Sequence, residues 1–481
     1  MGLIVGYHCL CALRSIQDGG PDFEYFYKSG AWLLDHGARD TRYDINAPAW
    51  QLDYGGHDHR YEHISSGAVV RRGGIEWYLP FVSRVVSGLV EIGRSTAFLG
   101  GTPYRRAGVL WLAINVLALF AILRLAGTHL MGLPPRDWPV TLLLPFLALQ
   151  LFWAWEFRLN QIDCLTMLLV VVSFVQWQQG RRNLPGFWMG LAVLLKLTPA
   201  LLVVWFALKR QFRTVAVALA TVVCAGPLAD LAAFGPSYAA DWYRGWAEIA
   251  LVRGSHRGLI LYERELEWRN QSISAIAMRL LHDTNAKTHF DNDPRIKRDD
   301  PDLYLNALTL PNSAVATIVL SIVAVSALAL MWIARRPATQ CSIWRLRIEW
   351  ALFIVAMLWF MPVLRRYHFV MLLPALAVLA GCIHHCGWNS RVGRLGIATY
   401  FVLIAAQLSA GLRLWFRPSP SEAAGVFLFV LPVLALPLIV LLVRLARDPA
   451  ALPDDPYYDA WRRGEPPSAP QATEAPAGVK T

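Results

Sequence analysis

The chain has 481 residues, of which 56% are hydrophobic and only 16% are charged. Soluble domains carry about 25% charged residues, so this composition excludes a soluble globular protein and indicates an integral membrane protein with many helices. The formal net charge of +11 does not indicate a nucleic-acid partner, because the basic residues cluster at the ends of apolar segments, where they set the orientation of membrane helices.

The predicted membrane helices begin at the first residues. Met1–Ile16 is apolar but shorter than the roughly 20 residues that a span needs, and it is interpreted as the end of a first span whose true start lies upstream. A weaker apolar run covers about residues 77–92 and is interrupted by Arg84 and Glu91. Stronger runs follow at about residues 107–126, 138–155, 162–178, 184–208, 214–234, 311–334, 348–363, 369–386, 395–412 and 423–444. This pattern predicts an all-α polytopic membrane protein with about 11–12 transmembrane helices.

Two long polar segments, about residues 17–76 and 235–306, separate these runs. Basic residues next to membrane helices favour the cytoplasmic side. Strict alternation of the spans with their basic flanks inside therefore predicts that both segments lie on the outer face. The same alternation predicts that Arg94, Arg105 and Arg106 are cytoplasmic.

One short loop does not fit this alternation, which puts Arg181 and Arg182 outside. Two explanations remain open from the sequence. Either this loop departs from the usual charge bias, or residues 184–208, interrupted at Pro199, form a re-entrant pair that enters and leaves the membrane on the same side.

The chain is predicted to form one transmembrane domain, residues 1–445, followed by a tail. Residues 446–481 are rich in Pro, Ala and acidic residues, which is typical of a disordered segment, and the tail is expected to be cytoplasmic. The seven cysteines are interpreted as small core residues. His57–His63 is interpreted as an exposed loop and Cys382–Cys386 as a helix end, so neither a metal nor another cofactor is expected.

The stretch Pro21–Tyr27 carries the first candidate catalytic residue, Asp22. Aromatic residues that favour the lipid–water boundary surround it. A carboxylate held at that depth could take a proton from a substrate hydroxyl while a lipid-linked donor lies in the bilayer beside it. The alternative is that Asp22 caps the helix predicted over residues 24–36; both roles are compatible.

Polar residues within or beside apolar runs are the next candidates, because such residues are costly in a membrane. Residues 156–163 form a dense polar turn that includes Glu156 and Asp163. Lys196 lies near the middle of a run that Pro199 interrupts. A lysine there must pair or face a wet cavity, and its partner is either a phosphate or a carboxylate, Asp163 or Glu156.

A basic segment between two apolar runs, Arg365-Arg366-Tyr367-His368, is expected on the outer face. Arginine forks match phosphate oxygens geometrically, whereas the alternative is a pair of arginines that extend towards water at helix ends. Donor binding is therefore assigned to Arg365, Arg366 and Tyr367, together with Lys196. In the second long loop, Trp268–Ser274 combines an aromatic ring with amide and hydroxyl groups, which suits sugar recognition but is also typical of a structured loop that caps a helix.

These pieces, in this order, resemble the bacterial glycosyltransferase family 87 of the GT-C superfamily, whose best-known members are α-1,2-mannosyltransferases that use polyprenol-phosphate-mannose. The resemblance covers about residues 15–440. The matching stretches are Asp22-Phe23 with Tyr27, Ala31 and Tyr43; Tyr78 with Pro80; Asn160-Gln161; Gly186 through Gly190 to Lys196-Leu197-Thr198-Pro199, then Lys209-Arg210; Asn270-Gln271-Ser272; and Arg366 to His368 with Pro374.

The resemblance implies an active site on the outer, periplasmic face of a bacterial inner membrane, with neither a nucleotide-sugar site nor an obligatory metal. It implies that Asp22 is the general base and that His368 is the family's late histidine, although many members carry Ser-Trp and paired histidines at that place. Tyr27, Asn270 and Gln271 are expected to contact the acceptor or the sugar.

The expected reaction is inverting transfer of a hexose from a polyprenyl-phosphate donor to a lipid-anchored or glycan acceptor. The expected hexose is mannose. Two other functions use similar residues. A transporter or flippase also needs charges within the membrane, but no internal repeat of the kind found in many transporters is visible. A ligase with a diphosphate-linked donor would share the arginines but would not need Asp22.

Overall fold

The structure is a computed structural model that describes residues 2–17, 21–36, 79–133, 135–263, 265–286, 302–411 and 423–448, together with Leu452. These residues fold into helices and contain no strand, which confirms the predicted all-α class. The histidine-rich stretch His57–His63 and nearly all of the tail beyond residue 448 lie outside the described residues.

The helices are numbered in chain order. They are α1 (Gly2–Gln17), α2 (Pro21–His36), α3 (Pro80–Ser95), α4 (Pro103–Leu125), α5 (Trp138–Leu147), α6 (Gln150–Leu159), α7 (Asp163–Gln178), α8 (Leu184–Leu195), α9 (Ala200–Leu208), α10 (Phe212–Val223), α11 (Ala229–Phe234), α12 (Pro236–Trp246), α13 (His256–Leu261), α14 (Ile273–Leu281), α15 (Asn312–Ala334), α16 (Ile343–Trp359), α17 (Leu373–Cys386), α18 (Arg391–Gly411) and α19 (Val426–Arg447).

Within the described part of the chain, 6 helical stretches are long and apolar enough to cross a membrane, which confirms a polytopic membrane protein. Helices α5 and α6 pass the same test together but bend by 63° at the break between them. Helices α1, α7 and α8 are shorter apolar helices of 10–17 residues. The six stretches are Pro103–Leu130, Phe212–Phe234, Asn312–Ala334, Arg366–Cys386, Arg391–Ser409 and Val426–Arg447.

We name the two ends of the helix bundle after one residue each. At the Lys209 end, the ammonium of Lys209 donates hydrogen bonds to the carbonyls of Ala334 and Arg336, both at 2.9 Å. This end therefore gathers the turn between α9 and α10 and the turn between α15 and α16. At the His368 end, His368 lies between α16 and α17 and contacts Asp163 at the start of α7.

Helix α3 lies along the His368 end and does not cross the bundle, contrary to the weak span predicted over residues 77–92. Near its start, Arg84 pairs with Asp230, which is at the far end of α10–α11 from Lys209. Near its end, Gly93 lies so close to Pro103 that an added Cβ would be 2.6 Å from the Pro103 carbonyl oxygen. Helix α3 lies along the bundle because its sequence is amphipathic and buries one face against the protein. This face consists of Val82, Val86, Leu89 and Val90.

Helix α4 runs from the His368 end to the Lys209 end. Close to its start, the indole of Trp111 donates to the carbonyl of Asn160 at 2.9 Å, just before α7. Beyond its end, the carbonyl of Met131 lies 3.2 Å from Nε2 of His385 in the last turn of α17, and the ring of His385 packs edge-on against Trp344 at the start of α16. The direction of α4 follows directly from these contacts.

Arg94, Arg105 and Arg106 therefore do not lie with the basic turns of the Lys209 end, contrary to the alternation, which predicts all of these basic flanks on one cytoplasmic side. All three lie near the start of α4, at the same end as α2 and the described part of the second long loop. The alternation failed because it counted α3 as a crossing. The guanidinium of Arg106 instead binds backbone, donating to the carbonyls of Gly93 at 2.7 Å and Gly101 at 2.6 Å.

Helices α8 and α9 form a re-entrant pair: the start of α8 and the end of α9 both lie at the Lys209 end. Near the start of α8, Gly186 touches α10: an added Cβ would be 2.4 Å from the Thr214 carbonyl oxygen. Near the end of α9, the ring of Phe206 packs edge-on against Trp177 at 5.9 Å between centroids. The indole of Trp177 also donates to Gln211, just before α10, at 3.1 Å.

The two helices meet at a non-helical tip, residues 196–199. Helix α8 has 12 residues, about 18 Å at 1.5 Å per residue, which is less than the roughly 30 Å of membrane hydrocarbon. Because α8 begins at the Lys209 end, Arg181 and Arg182, which precede it, also lie there with the other basic turns. Of the two explanations left open by the sequence, the structure supports the re-entrant pair. Since α3 and this pair do not cross, the described part of the chain crosses the bundle fewer times than its apolar runs alone indicate.

Candidate functional site

Three buried ionisable side chains meet at the His368 end. The ammonium of Lys196 pairs with Oδ1 of Asp163 and lies 2.9 Å from Nδ1 of His368. The same Nδ1 lies 2.9 Å from Oδ2 of Asp163. Lys196 is 8% exposed, His368 4% and Asp163 0%, so water screens these charges little. The salt bridge to Asp163, one of the alternatives raised by the sequence, is therefore present.

Lys196 reaches this cluster because α8 ends there. Its backbone is extended, with φ −153° and ψ 130°, and Pro199 closes the tip before α9 begins. Non-helical backbone inside a membrane is tolerated where it is enclosed by protein or lines a polar cavity, which fits this position.

The turn before α7 brings Asp163 to the cluster. Asn160 adopts the left-handed conformation, φ 53°, in which asparagine is one of the few tolerated residues. Its amide donates to the carbonyl of Gly108 at 3.0 Å, while the amide of Asn115 donates to the carbonyl of Gln161 at 2.8 Å. Helix α4 thus fixes this turn, and with it the first residue of α7.

Glu156, the other carboxylate of the polar turn, does not pair with Lys196. It is 1% exposed, and its Oε1 accepts a hydrogen bond from the backbone amide of Cys164 at 3.1 Å. The structure therefore separates the two carboxylates that the sequence left equivalent. Glu156 supports the start of α7, while Asp163 holds Lys196 and His368.

Arg365 lies between two carboxylates, Glu265 and Glu267, and pairs with both. Burial alone lowers the pKa of Arg365, but the two glutamates outweigh it and raise that pKa above its usual range. Burial likewise raises the pKa of Glu267, but the attraction to Arg365 outweighs it and leaves the pKa of Glu267 below its ordinary value. The charge of Arg365 is thus engaged in joining two loops, and its binding of a donor stays a prediction.

Arg366 has a different environment, because its guanidinium lies over two indole rings. The distances to the ring centroids are 5.3 Å for Trp155 and 5.2 Å for Trp268. The next residue, Tyr367, faces the cluster: the ammonium of Lys196 lies 6.0 Å from the centre of its ring. The sequence did not single out Trp155, although a tryptophan in the same turn as Glu156 was a possible signal.

Asn270 and Gln271 are fully buried beneath this surface. The amide of Asn270 donates to the carbonyl of Glu265 at 2.8 Å, and its oxygen accepts from the backbone amide of Leu364 at 3.0 Å. The amide of Gln271 donates to the carbonyl of Trp268 at 2.7 Å. In this structure both side chains join the loops that carry Arg365 and Arg366, which supports the structured-loop interpretation. Their contact with a sugar is untested.

Helix α2 brings Asp22 to the same end of the bundle. The helix begins at Pro21, so Asp22 lies in its first turn; its side chain is outside the described residues. The next residue, Phe23, is fully buried and stacks on Trp111 at 6.4 Å. Tyr27 is also fully buried and packs edge-on against Tyr104. Trp111 also donates to the carbonyl of Asn160, in the turn that precedes Asp163. One side chain of α4 therefore contacts both α2 and this turn.

The fold and this cluster define a class: a polytopic membrane protein with a polar site at one end of its helix bundle. Comparison with known protein families matches glycosyltransferase family 87 over residues 95–346, just over half of the chain. The chain belongs to this family and is a membrane glycosyltransferase. No match was found among curated proteins or among solved structures. The matched range includes Asp163 and Lys196, whereas Asp22 and His368 lie outside it.

Proposed function

We propose that this glycosyltransferase moves a hexose, with mannose as the first expectation, from a polyprenyl-phosphate carrier to a lipid-linked or glycan acceptor. The proposed site is the His368 end of the bundle, on the outer, periplasmic face of a bacterial inner membrane. This orientation leaves the basic turns that contain Arg181, Lys209 and Arg335 in the cytoplasm, as the positive-inside rule favours. It also leaves the polyprenyl tail in lipid while the sugar reaches water.

The observation that carries the proposal is the position of Lys196. A cationic side chain is mounted at the tip of a re-entrant pair, next to His368 and the ring of Tyr367. An anionic group that approached from the membrane could exchange with Asp163 for contact with Lys196. Arg366, anchored on two indole rings, is the second candidate contact, because arginine binds phosphate through two parallel hydrogen bonds.

The proposed reaction needs one proton acceptor and one site for the leaving group. Asp22 takes the proton of the acceptor hydroxyl. The hydroxyl oxygen forms a bond to the anomeric carbon from the face opposite the phosphate, and the bond from that carbon to the phosphate oxygen breaks. The electron pair leaves with the phosphate, and the configuration inverts. Lys196, Arg366 and His368 stabilise the charge that grows on the phosphate.

The test is transfer by the purified protein in lipid, with radiolabelled polyprenyl-phosphate-mannose and a panel of lipid-linked acceptors. A diphosphate-linked donor in parallel separates the transferase from the ligase. We expect label in the acceptor only from the monophosphate donor. Transfer from the diphosphate donor alone would replace the proposal by the ligase.

Asp22→Asn tests the general base. Asparagine keeps the shape of the side chain but cannot take the proton, and general-base catalysis is typically worth roughly 10²–10⁴-fold, so we expect a loss of that size in a folded protein. Glu24→Gln, two residues further along α2, is the matched control and should retain transfer. If Glu24→Gln abolishes transfer and Asp22→Asn does not, the base has been assigned to the wrong carboxylate.

A further inference from the structure

Three residues from separate helices form a chain of contacts at the His368 end, outside the cluster described above. Nε of Arg84 in α3 lies 2.5 Å from Oδ1 of Asp230 in α11. The hydroxyl of Tyr243 in α12 donates to Oδ2 of Asp230 at 2.7 Å. Burial and then the bond and charge of Asp230 raise the pKa of Tyr243, so the hydroxyl keeps its proton. Asp230 is fully buried, whereas the side chain of Arg84 is 23% exposed, so water is excluded from the carboxylate side of this ion pair.

The chain of contacts surrounds a kink in the helix that leads to α11. Between α10 and α11, Gly226 has non-helical angles, φ −92° and ψ −108°, and Pro227 follows it. Arg84 also donates to the carbonyl of Ala225 in this turn. An added Cβ at Gly226 would lie 2.9 Å from Leu194 and 3.4 Å from the hydroxyl of Tyr243. The kink therefore touches the last turn of α8, two residues before Lys196.

Helix α3 is in turn attached to α2. The hydroxyl of Ser29 in α2 donates to that of Ser83, the neighbour of Arg84. Gly30 lies directly on the α3 backbone: an added Cβ there would be 2.8 Å from the amide nitrogen of Ser87. Such a close approach of two backbones leaves little freedom for sliding. The helix that carries Asp22 thus follows the position of α3.

We propose that Arg84, Asp230 and Tyr243 are positioning residues that fix α3 and α2 relative to the tip of the re-entrant pair. They connect the helix of the general base, Asp22, to the element that holds Lys196, and this part of the inference rests on the proposed function. Helix α3 buries only one face, so its ion pair with the buried carboxylate of Asp230 is a specific anchor. Displacement of a reacting group by about 1 Å can cost about 10²-fold in rate.

The test uses Asp230→Asn and Tyr243→Phe in the full-length protein in lipid, and it measures three quantities. These are hydrogen exchange of the α2 backbone, equilibrium binding of the polyprenyl-phosphate-mannose donor, and the single-turnover rate of transfer per folded molecule. We expect faster exchange in α2, donor affinity within about twofold of the wild type, and transfer slowed by about 10–100-fold for Asp230→Asn. Tyr243→Phe removes one contact only and should show smaller changes in the same direction.

Tyr400→Phe is the matched control. The hydroxyl of Tyr400 is fully buried and donates to the carbonyl of Leu376 at 2.6 Å, between α18 and α17. This variant removes a comparable hydrogen bond far along the chain from α2, so it should lower stability without changing exchange in α2 or the rate per folded molecule. If Tyr243→Phe and Tyr400→Phe have the same effects, the network is merely structural and the proposal is wrong.

The readouts separate this inference from the proposed function. Hydrogen exchange needs no substrate, so unchanged exchange of α2 in Asp230→Asn refutes the positioning network even if transfer is observed. Faster exchange with an unchanged transfer rate refutes its role in the reaction. Absence of transfer in the wild type, with faster exchange in Asp230→Asn, refutes the proposed function and leaves the mechanical link between α3 and α2 established.

Discussion

The pair formed by Asp163 and Lys196 offers the sharpest test of the site, because a structural salt bridge and a phosphate site predict different results. The perturbation is a cycle of three variants: Asp163→Asn, Lys196→Met and the double variant. Asparagine and methionine keep approximately the volume of the residues that they replace. Each single variant breaks the pair, whereas the double variant removes both charges together.

The expected magnitude follows from burial and shared contacts. Lys196 is 8% exposed and Asp163 0%, so the pair counts as buried. Removing one partner of such a pair typically costs about 3–5 kcal/mol, because it leaves an uncompensated buried charge, which the double variant does not leave. Asp163→Asn should be the more damaging single change, because Asp163 contacts both Lys196 and His368. After Lys196→Met, Asp163 still has His368 at 2.9 Å.

The assay follows thermal unfolding in lipid and transfer per folded molecule for all three variants. We expect the double variant to regain most of the stability that Asp163→Asn loses, while transfer remains low because the phosphate contact is missing. Recovery of both stability and transfer in the double variant would show that Lys196 serves only to neutralise Asp163. A stable Asp163→Asn variant would refute the energetic argument itself.

Three further results are expected. In a cysteine-free background, Asn285→Cys should react with a membrane-impermeant thiol reagent added from outside. Arg182→Cys should react with the same reagent only after permeabilisation. Labelling of Arg182→Cys from outside would refute the re-entrant pair. Arg366→Ala should weaken donor binding by about 1.5–3 kcal/mol, as for loss of a charged hydrogen bond. The control, Arg335→Ala, removes an arginine stacked on an indole at the Lys209 end and should leave donor binding unchanged. Equal donor affinity in the two variants would remove Arg366 from the site. Because the pKa of Glu267 is lowered from an ordinary value of 4.5, its ion pair should stabilise residues 265–286 above that value and lose this effect as pH falls through the lower folded-state pKa. The protection factors of this segment, which are corrected for the intrinsic slowing of amide exchange in acid, should therefore fall with pH; an equal fall in Glu267→Gln would contradict the assignment.

The class of this protein is determined by the sequence itself. A chain with 16% charged residues and repeated long apolar runs is typical of a protein with many membrane helices, since a helix satisfies its backbone hydrogen bonds within one segment. The cost of a charge in lipid also makes Lys196 and Asp163 conspicuous without any structure. The interruption at Pro199 made a re-entrant pair one of two explanations that the sequence left open, because proline removes a helical hydrogen bond within a helix.

The direction of each helix, and the partner of each charge, depended on tertiary structure. Whether the amphipathic α3 crosses the bundle or lies along its end depends on which part of the protein its buried face packs against. That contact involves residues far away in the sequence, such as Asp230. One wrong crossing reverses the predicted side of Arg94 and its neighbours. Likewise, neighbouring residues of one motif, Arg365 and Arg366, are chemically identical in the sequence. Only the fold places two glutamates beside the first and two indole rings beside the second, because these partners come from segments about 100 and 200 residues away along the chain.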